Sequence, residues 1–313
     1  MQELTGLLRK YWGLSLLFAG FAVVYVANAL LSEPDQNVLR KYHISSFQAH
    51  ELALTIIMPY IIIWAVALIG YLRLRLYVQA LGKSKDGRAF QTISFGILWF
   101  ALWQPLSSLM TGLGSHLYAD NHDNIAWVIR TENYLNLLML IPAFYFVHLG
   151  SRQLLKVARI RHMGLSLRSM IAFVILSVLY TSITLLDTSR RLAPDSASAA
   201  SYYLPDWMII TTIVIPRLIV WLVGYQAVRN IFEYRRKVPG TIYRIALRRL
   251  AIGLSTLIMS TIVLRCMQSL GHFISQVGLG VLLLIIYLLL AVMAVGYVFI
   301  AKGAKQLQTI EEA

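Results

Sequence analysis

The sequence predicts an all-α polytopic membrane protein, with eight transmembrane helices forming two parallel four-helix repeats. Three observations lead there. The 313 residues are 58% hydrophobic and only 13% charged, roughly half the charge of a soluble domain. Eight apolar stretches are each long enough for a helix to cross a bilayer. The basic residues fall in alternate segments between those stretches.

The apolar stretches are 12–31, 52–72, 90–115, 133–150, 169–186, 207–227, 250–270 and 279–301. A helix is the form to expect in each, because it satisfies its own backbone in lipid. Pro59, Pro105, Pro142 and Pro216 lie inside stretches. Membrane helices accommodate proline with a kink, since neighbouring groups satisfy the freed carbonyl. The first stretch has some marks of a signal peptide: Arg9 and Lys10 precede it, and Ala27, Asn28 and Ala29 imitate a cleavage site. Its apolar run exceeds the usual signal length, and it has a counterpart in the second half, so a retained helix is expected.

Charge orients the chain. Segments 1–11, 72–89, 151–168, 228–249 and 302–313 hold 21 of the 28 Lys and Arg residues, whereas 32–51, 116–132, 187–206 and 271–278 hold 5. The positive-inside rule then places both termini in the cytoplasm, with the protein integral to the cell (inner) membrane. The net charge of +14 is accounted for by cytoplasmic loops beside anionic lipid headgroups. No nucleic-acid partner is expected, because the basic loops are short and interleave few aromatic residues. The partners implied are the lipid bilayer and a membrane complex or homo-oligomer. The lone Cys266 forms no internal disulfide and says nothing of redox compartment.

An internal duplication is expected, 1–156 against 157–313. At an offset of 157, Thr55, Ile56, Pro59, Ile62, Trp64 and Val66 match Thr212, Ile213, Pro216, Ile219, Trp221 and Val223. The shared Pro-x4-Trp spacing carries more weight than the aliphatic matches. Gly87 pairs with Gly240 at an offset of 153, which predicts a loop four residues shorter in the second half. The same offset aligns Gly150, Gln153 and Leu154 with Gly303, Gln306 and Leu307. Repeats with even helix numbers share one orientation and are related by an axis along the membrane normal.

The candidate substrate-binding residues are Arg217, Arg265, Gln104 and Tyr60. Arg217 follows Pro216 near the middle of the sixth stretch, and Arg265 lies in the outer third of the seventh. A charge at membrane depth costs roughly 2.5–3.5 kcal/mol on insertion scales and marks function by default. Tyr60 takes the place of Arg217 in the first half, and Gly112 that of Arg265. The plainer alternative is that each arginine bonds backbone carbonyls and only locks packing. Gln104, beside Pro105, is the chief polar residue of the third stretch. Asn28, Asn136 and His148 lie nearer helix ends, where bonding between helices explains them.

His50, His116 and His272 end apolar stretches on one side, with Asp120, His122 and Asp123 in the adjacent loop. A haem site needs ligands projecting inward at matching depth. His50 and His116 meet that condition, but the second half does not repeat them, so no cofactor is predicted. Ligand type alone does not define a metal site in the loop. No GxxxxGK[ST] or HExxH motif is present, and no GxSxG elbow. Lys302 sits only at an edge, which argues against a buried Schiff-base lysine. Ser107 and Ser108 have no histidine–acid partners at their depth. Tyr11, Trp12, Tyr202, Tyr203 and Trp207 read as an interfacial belt.

The duplicated four-helix plan resembles that of haem A synthases in architecture alone, without their repeated histidine pairs, and architecture does not carry function. The leading expectation is transport or permeation of a small anionic solute rather than catalysis. A haem or quinone redox protein, and a non-catalytic sensor or scaffold subunit, are the alternatives.

Overall fold

A computed structural model of the chain describes residues 2–31, 45–118, 122–160, 175, 215–269 and 279–311. Among them there are eight α-helices of eight residues or more and no strand. They are α1 (Gln2–Lys10), α2 (Trp12–Leu31), α3 (Ser46–Leu81), α4 (Lys85–Tyr118), α5 (His122–Val157), α6 (Ile215–Lys237), α7 (Thr241–Ser269) and α8 (Leu279–Glu311). The expected stretch 169–186 lies outside the described residues except for Ile175, as does the expected start of the sixth stretch.

Local sequence explains the helix boundaries. Ser45 caps α3: its hydroxyl accepts the Gln48 amide at 3.2 Å while the Gln48 side chain accepts the Ser45 amide at 2.8 Å. That reciprocal box satisfies two donors left over at a helix start. Gly82, at φ 58°, ends α3 in the left-handed region, where a side chain would be strained. Gly240 does the same before α7 at φ 91°. Pro59, Pro105 and Pro142 are carried inside α3, α4 and α5.

Residues 82–84 join α3 to α4 and residues 238–240 join α6 to α7, three residues in each case. This corrects the expected four-residue shortening at this loop. Gly87 lies within α4, whereas Gly240 forms the turn before α7. Matching two loop glycines misplaced the register, because one serves a turn and the other a tight helical start, where a Cβ would stand 2.6 Å from the Gly82 carbonyl.

The helices pack α4 on α5 and α7 on α8, with α3 on α4 and α6 on α7. The fourth helix of each expected half also crosses over: α8 lies along α3, and α5 along α6. Small residues set the closest approaches. A Cβ on Gly96 would meet the Ala143 carbonyl at 2.7 Å and Val147 Cγ2 at 2.5 Å; one on Gly253 would meet the Gly296 carbonyl at 2.6 Å and Ile300 Cγ1 at 2.8 Å. Gly150 likewise sits on Ala89 and Ile93, and Gly303 on Ala246 and Leu250. From α4 to α7 these contacts recur at an offset of 157, and from α5 to α8 at 153. On the expected alignment of 1–156 with 157–313, the four-residue change then falls between α4 and α5 in the first segment and α7 and α8 in the second, and the position matched to Arg265 is Ser108 instead of Gly112.

The core lies where these crossings meet. Ile93, Ile97 and Phe100 of α4, Phe144 of α5 and Leu250, Leu254 and Leu257 of α7 are fully or almost fully buried, and Phe100 meets Phe144 edge-on at 5.0 Å. The outside of the bundle is apolar as well. On α8, Val281, Leu284, Leu288, Val292 and Val295 form an exposed stripe, while Leu290, Met293, Tyr297 and Ile300 are buried. A helix at a water-facing surface keeps its outer face polar; one that is apolar all round sits in a large core or in lipid. By length and composition α3 and the Leu283–Ile310 part of α8 could each cross a membrane, and Trp12–Ala27 is a shorter apolar helix.

Candidate functional site

Hydrogen bonds between helices fix which ends meet. Lys10 Nζ and Tyr11 Oη donate to Gln79 Oε1, each at 3.2 Å. Thr92 donates to Gln153 at 3.2 Å, and Asn230 donates to Ser151 at 3.1 Å. The starts of α2, α4 and α7 therefore share one end of the bundle with the last turns of α3, α5, α6 and α8. That end carries Arg9, Lys10, Arg73, Arg75, Lys83, Lys85, Arg88, Arg152, Lys156 and seven basic residues between Arg229 and Arg249.

Of the four expected binding residues, Tyr60 is half-buried on α3, one turn before Trp64. Arg217 occupies the corresponding position on α6, one turn before Trp221. Arg265 lies on α7 and Gln104 on α4. The side chains of Arg217, Arg265 and Gln104 lie outside the described residues, but the backbone register relates the two arginines. Trp221 Nε1 donates to Met259 Sδ at 3.1 Å, and α6 and α7 run antiparallel across their three-residue turn. Arg217 is four residues on one side of that bond and Arg265 six residues on the same side, roughly 6 and 9 Å along the axes. The two positions thus share a similar depth, away from the basic end, instead of the separate depths expected from sequence. Helix ends inferred from hydropathy drift by several residues, whereas one bond between helices pins their relative height.

The segment expected to match it in 1–156 differs at this level. Trp64 is 2% exposed and packs against Tyr25 with ring centroids 5.4 Å apart. Leu102 stands where Met259 does in the second half, and the Trp64 indole N–H has no acceptor among the described residues.

Two polar groups join helices at the basic end, and of their residues the sequence reading singled out only His148. In one, Gln226 donates to Asn230 at 3.4 Å, Asn230 to Ser151, and Ser151 to the His148 carbonyl at 2.8 Å. His148 and Ser151 are 0% exposed and Asn230 is 2% exposed. In the other, the Tyr77 and Tyr243 hydroxyls are 3.0 Å apart, and Tyr234 Oη donates to Asp86 Oδ1 at 3.1 Å. Burial first, and then the neighbouring phenols and the Asp86 carboxylate, push the Tyr234 and Tyr243 hydroxyls well above their ordinary range. Both therefore hold their protons and serve as neutral hydrogen-bonding groups. A signal for this cluster was present: Tyr77 and Tyr234 differ by 157, as do Asp86 and Tyr243. Extending the first offset past Val66 would have found it.

His50 Nδ1 lies 2.7 Å from the Ser46 carbonyl of its own helix. The side chains of His116, His122 and Asp123, and all of Asp120 and His272, lie outside the described residues. Among the described residues no three His, Cys, Asp or Glu side chains converge in a way that could hold a metal ion. No known family, curated protein or solved structure matches the chain, so its function has to be argued from these residues.

Proposed function

We propose that the chain is an eight-span protein of the cell membrane, built of two parallel halves at 1–156 and 157–313, that passes a small anionic solute. The membrane part of the reading is supported by the exposed apolar stripe on α8 opposite a buried apolar one, together with basic residues gathered at one end. At 33 residues α8 is roughly 50 Å long, enough to cross a hydrocarbon core of about 30 Å and extend beyond it. Both termini are cytoplasmic, and the basic end faces anionic headgroups.

The solute part rests on one observation: Arg217 and Arg265 stand at similar depth on adjacent helices, and the offsets put Tyr60 and Ser108 at the matching places in the first half. Two guanidinium groups at one level within a bilayer repel each other and are costly to insert. An anion between them relieves both penalties, with bidentate geometry available from each arginine. Gln104 and Tyr60 supply neutral hydrogen bonds from the other half.

Topology is tested in a Cys266→Ser background by labelling Ser84→Cys and Ser196→Cys with an impermeant maleimide. Ser84→Cys should label only from the cytoplasm and Ser196→Cys only from outside; the reverse pattern would refute the orientation. For the solute, Arg217→Ala and Arg265→Ala should each cut phosphate or chloride flux in proteoliposomes at least about tenfold, the loss expected when one charged hydrogen bond is removed. Equal flux in wild type and both variants, with folding intact, would count against the anion path. A Soret band in the purified protein would replace this reading with the redox one.

A further inference from the structure

The Tyr77–Tyr243 and Tyr234–Asp86 hydrogen bonds are counterparts of one another. Adding 157 to Tyr77 leads to Tyr234, and adding it to Asp86 leads to Tyr243. Each bond runs from the last two turns of α3 or α6 to the first turn of α7 or α4, and so joins one proposed half to the other. Tyr77 and Tyr234 are buried and their partners Tyr243 and Asp86 half-buried, so each bond ties a core side chain to one at the rim of the bundle end. Tyr234 lies 17 residues from Arg217 on α6, about 25 Å along the axis. The cluster thus closes the end opposite the arginine level.

Charge opposes that closure. Lys83, Lys85 and Arg88 lie within three residues of Asp86 along the chain, and Arg235, Arg236, Lys237 and Arg244 within three of Tyr234 or Tyr243, so the bonds of the cluster draw two basic segments together. Among the described residues the one ion pair is the exposed Arg236–Glu233 contact at 3.5 Å, within a single helix. The basic ends therefore repel across the cluster, by an amount that salt reduces within a Debye length of roughly 10 Å.

We infer that Tyr77, Tyr243, Tyr234 and Asp86 form a latch holding the basic ends of the two halves together, and that its opening is the step that releases the solute toward that side. The inference rests on the transport reading, because a static scaffold has no need of a closure that works against its own charge. The latch is built twice, but unequally. One bond joins two phenols; the other uses a carboxylate acceptor, and bonds to ionised groups are roughly twice as strong as neutral ones. The Asp86–Tyr234 bond is thus the one that controls opening.

The test is amide hydrogen exchange on the full chain in nanodiscs, following peptides that cover 77–90 and 234–246. Tyr234→Phe and Asp86→Ala should speed exchange there about fivefold to tenfold, Tyr243→Phe less, with peptides in 250–262 unchanged. Asp86→Asn, which keeps an acceptor, should restore most of the protection, and the effect of each variant should grow at low ionic strength. Unchanged exchange in both Tyr234→Phe and Asp86→Ala would overturn the latch. Phosphate and chloride flux separates the two ideas. If exchange rises but neither wild type nor any variant moves either anion, the transport reading falls and the releasing role with it, and only the contact that holds the two basic ends together stands. If wild type moves an anion and the variants exchange at the wild-type rate, transport stands and the latch falls.

Discussion

The α5–α6 contact and the α3–α8 contact share a frame and differ in chemistry. On the first, Asn230 reaches Ser151, which in turn bonds the His148 carbonyl, and all three residues are buried. At the corresponding places on the second stand Arg73, Ala304 and Ala301, and Arg73 Nε has no acceptor among the described residues. Both contacts nonetheless close with small residues at the crossing. A Cβ on Gly224 of α6 would clash with Cδ1 of the Phe144 ring of α5, and one on Gly70 of α3 would stand 3.6 Å from the Tyr297 carbonyl of α8. A glycine at the crossing is thus common to the two, while the polar links are particular to one. In an apolar surrounding, close packing of small residues drives helix association and each polar bond adds about 1 kcal/mol or less.

The largest expected effect tests the common frame. Gly96→Val and Gly253→Val would each force a side chain against a neighbouring backbone carbonyl, where even one extra methylene costs about 1–3 kcal/mol. Both should lose the folded monodisperse species in detergent. Gly20→Val, with open space at its Cβ, should elute and melt like wild type. A Gly253→Val protein as stable as wild type would mean that α7 and α8 do not approach as closely as described.

A smaller effect tests the polar difference. Asn230→Ala should lower stability by about 1 kcal/mol, between the value for a buried side-chain bond in water and that in a membrane. Ser151→Ala should do the same, and the double variant should lose little more than either alone, because the two residues share one bond. Additive losses would show that they stabilise the contact separately.

The smallest effect concerns pH and the tyrosine cluster. Burial holds the Tyr234 and Tyr243 hydroxyls above the ordinary value of 10.0. The unfolded chain therefore releases those protons first as pH rises. Stability from these groups is full below pH 10.0 and falls as pH climbs through and above it. The melting temperature of wild type should drop as pH rises above about 10, and the drop should shrink in the Tyr234→Phe, Tyr243→Phe double variant. An identical drop in both proteins would assign the alkaline sensitivity to other groups.

Read in order along the chain, the residues determine a good deal unaided. The helical class, the positions of α3, α4, α7 and α8, and the gathering of basic residues follow from hydropathy and charge, which act locally and do not depend on a partner helix. The likeness of the Trp64 and Trp221 segments is legible for the same reason, because a proline followed five residues on by a tryptophan is rare enough to be noticed in both. Tertiary structure decided what depends on two helices at once. It moved the expected four-residue change out of the α3–α4 loop, because a glycine that forms a turn and a glycine at a tight helix start look alike until the backbone around them is seen. It brought Arg217 and Arg265 to similar depth through one bond between Trp221 and Met259. It also joined Tyr77 to Tyr243 and Tyr234 to Asp86, residues 166 and 148 positions apart, whose meeting depends on each half laying its fourth helix along the second helix of the other.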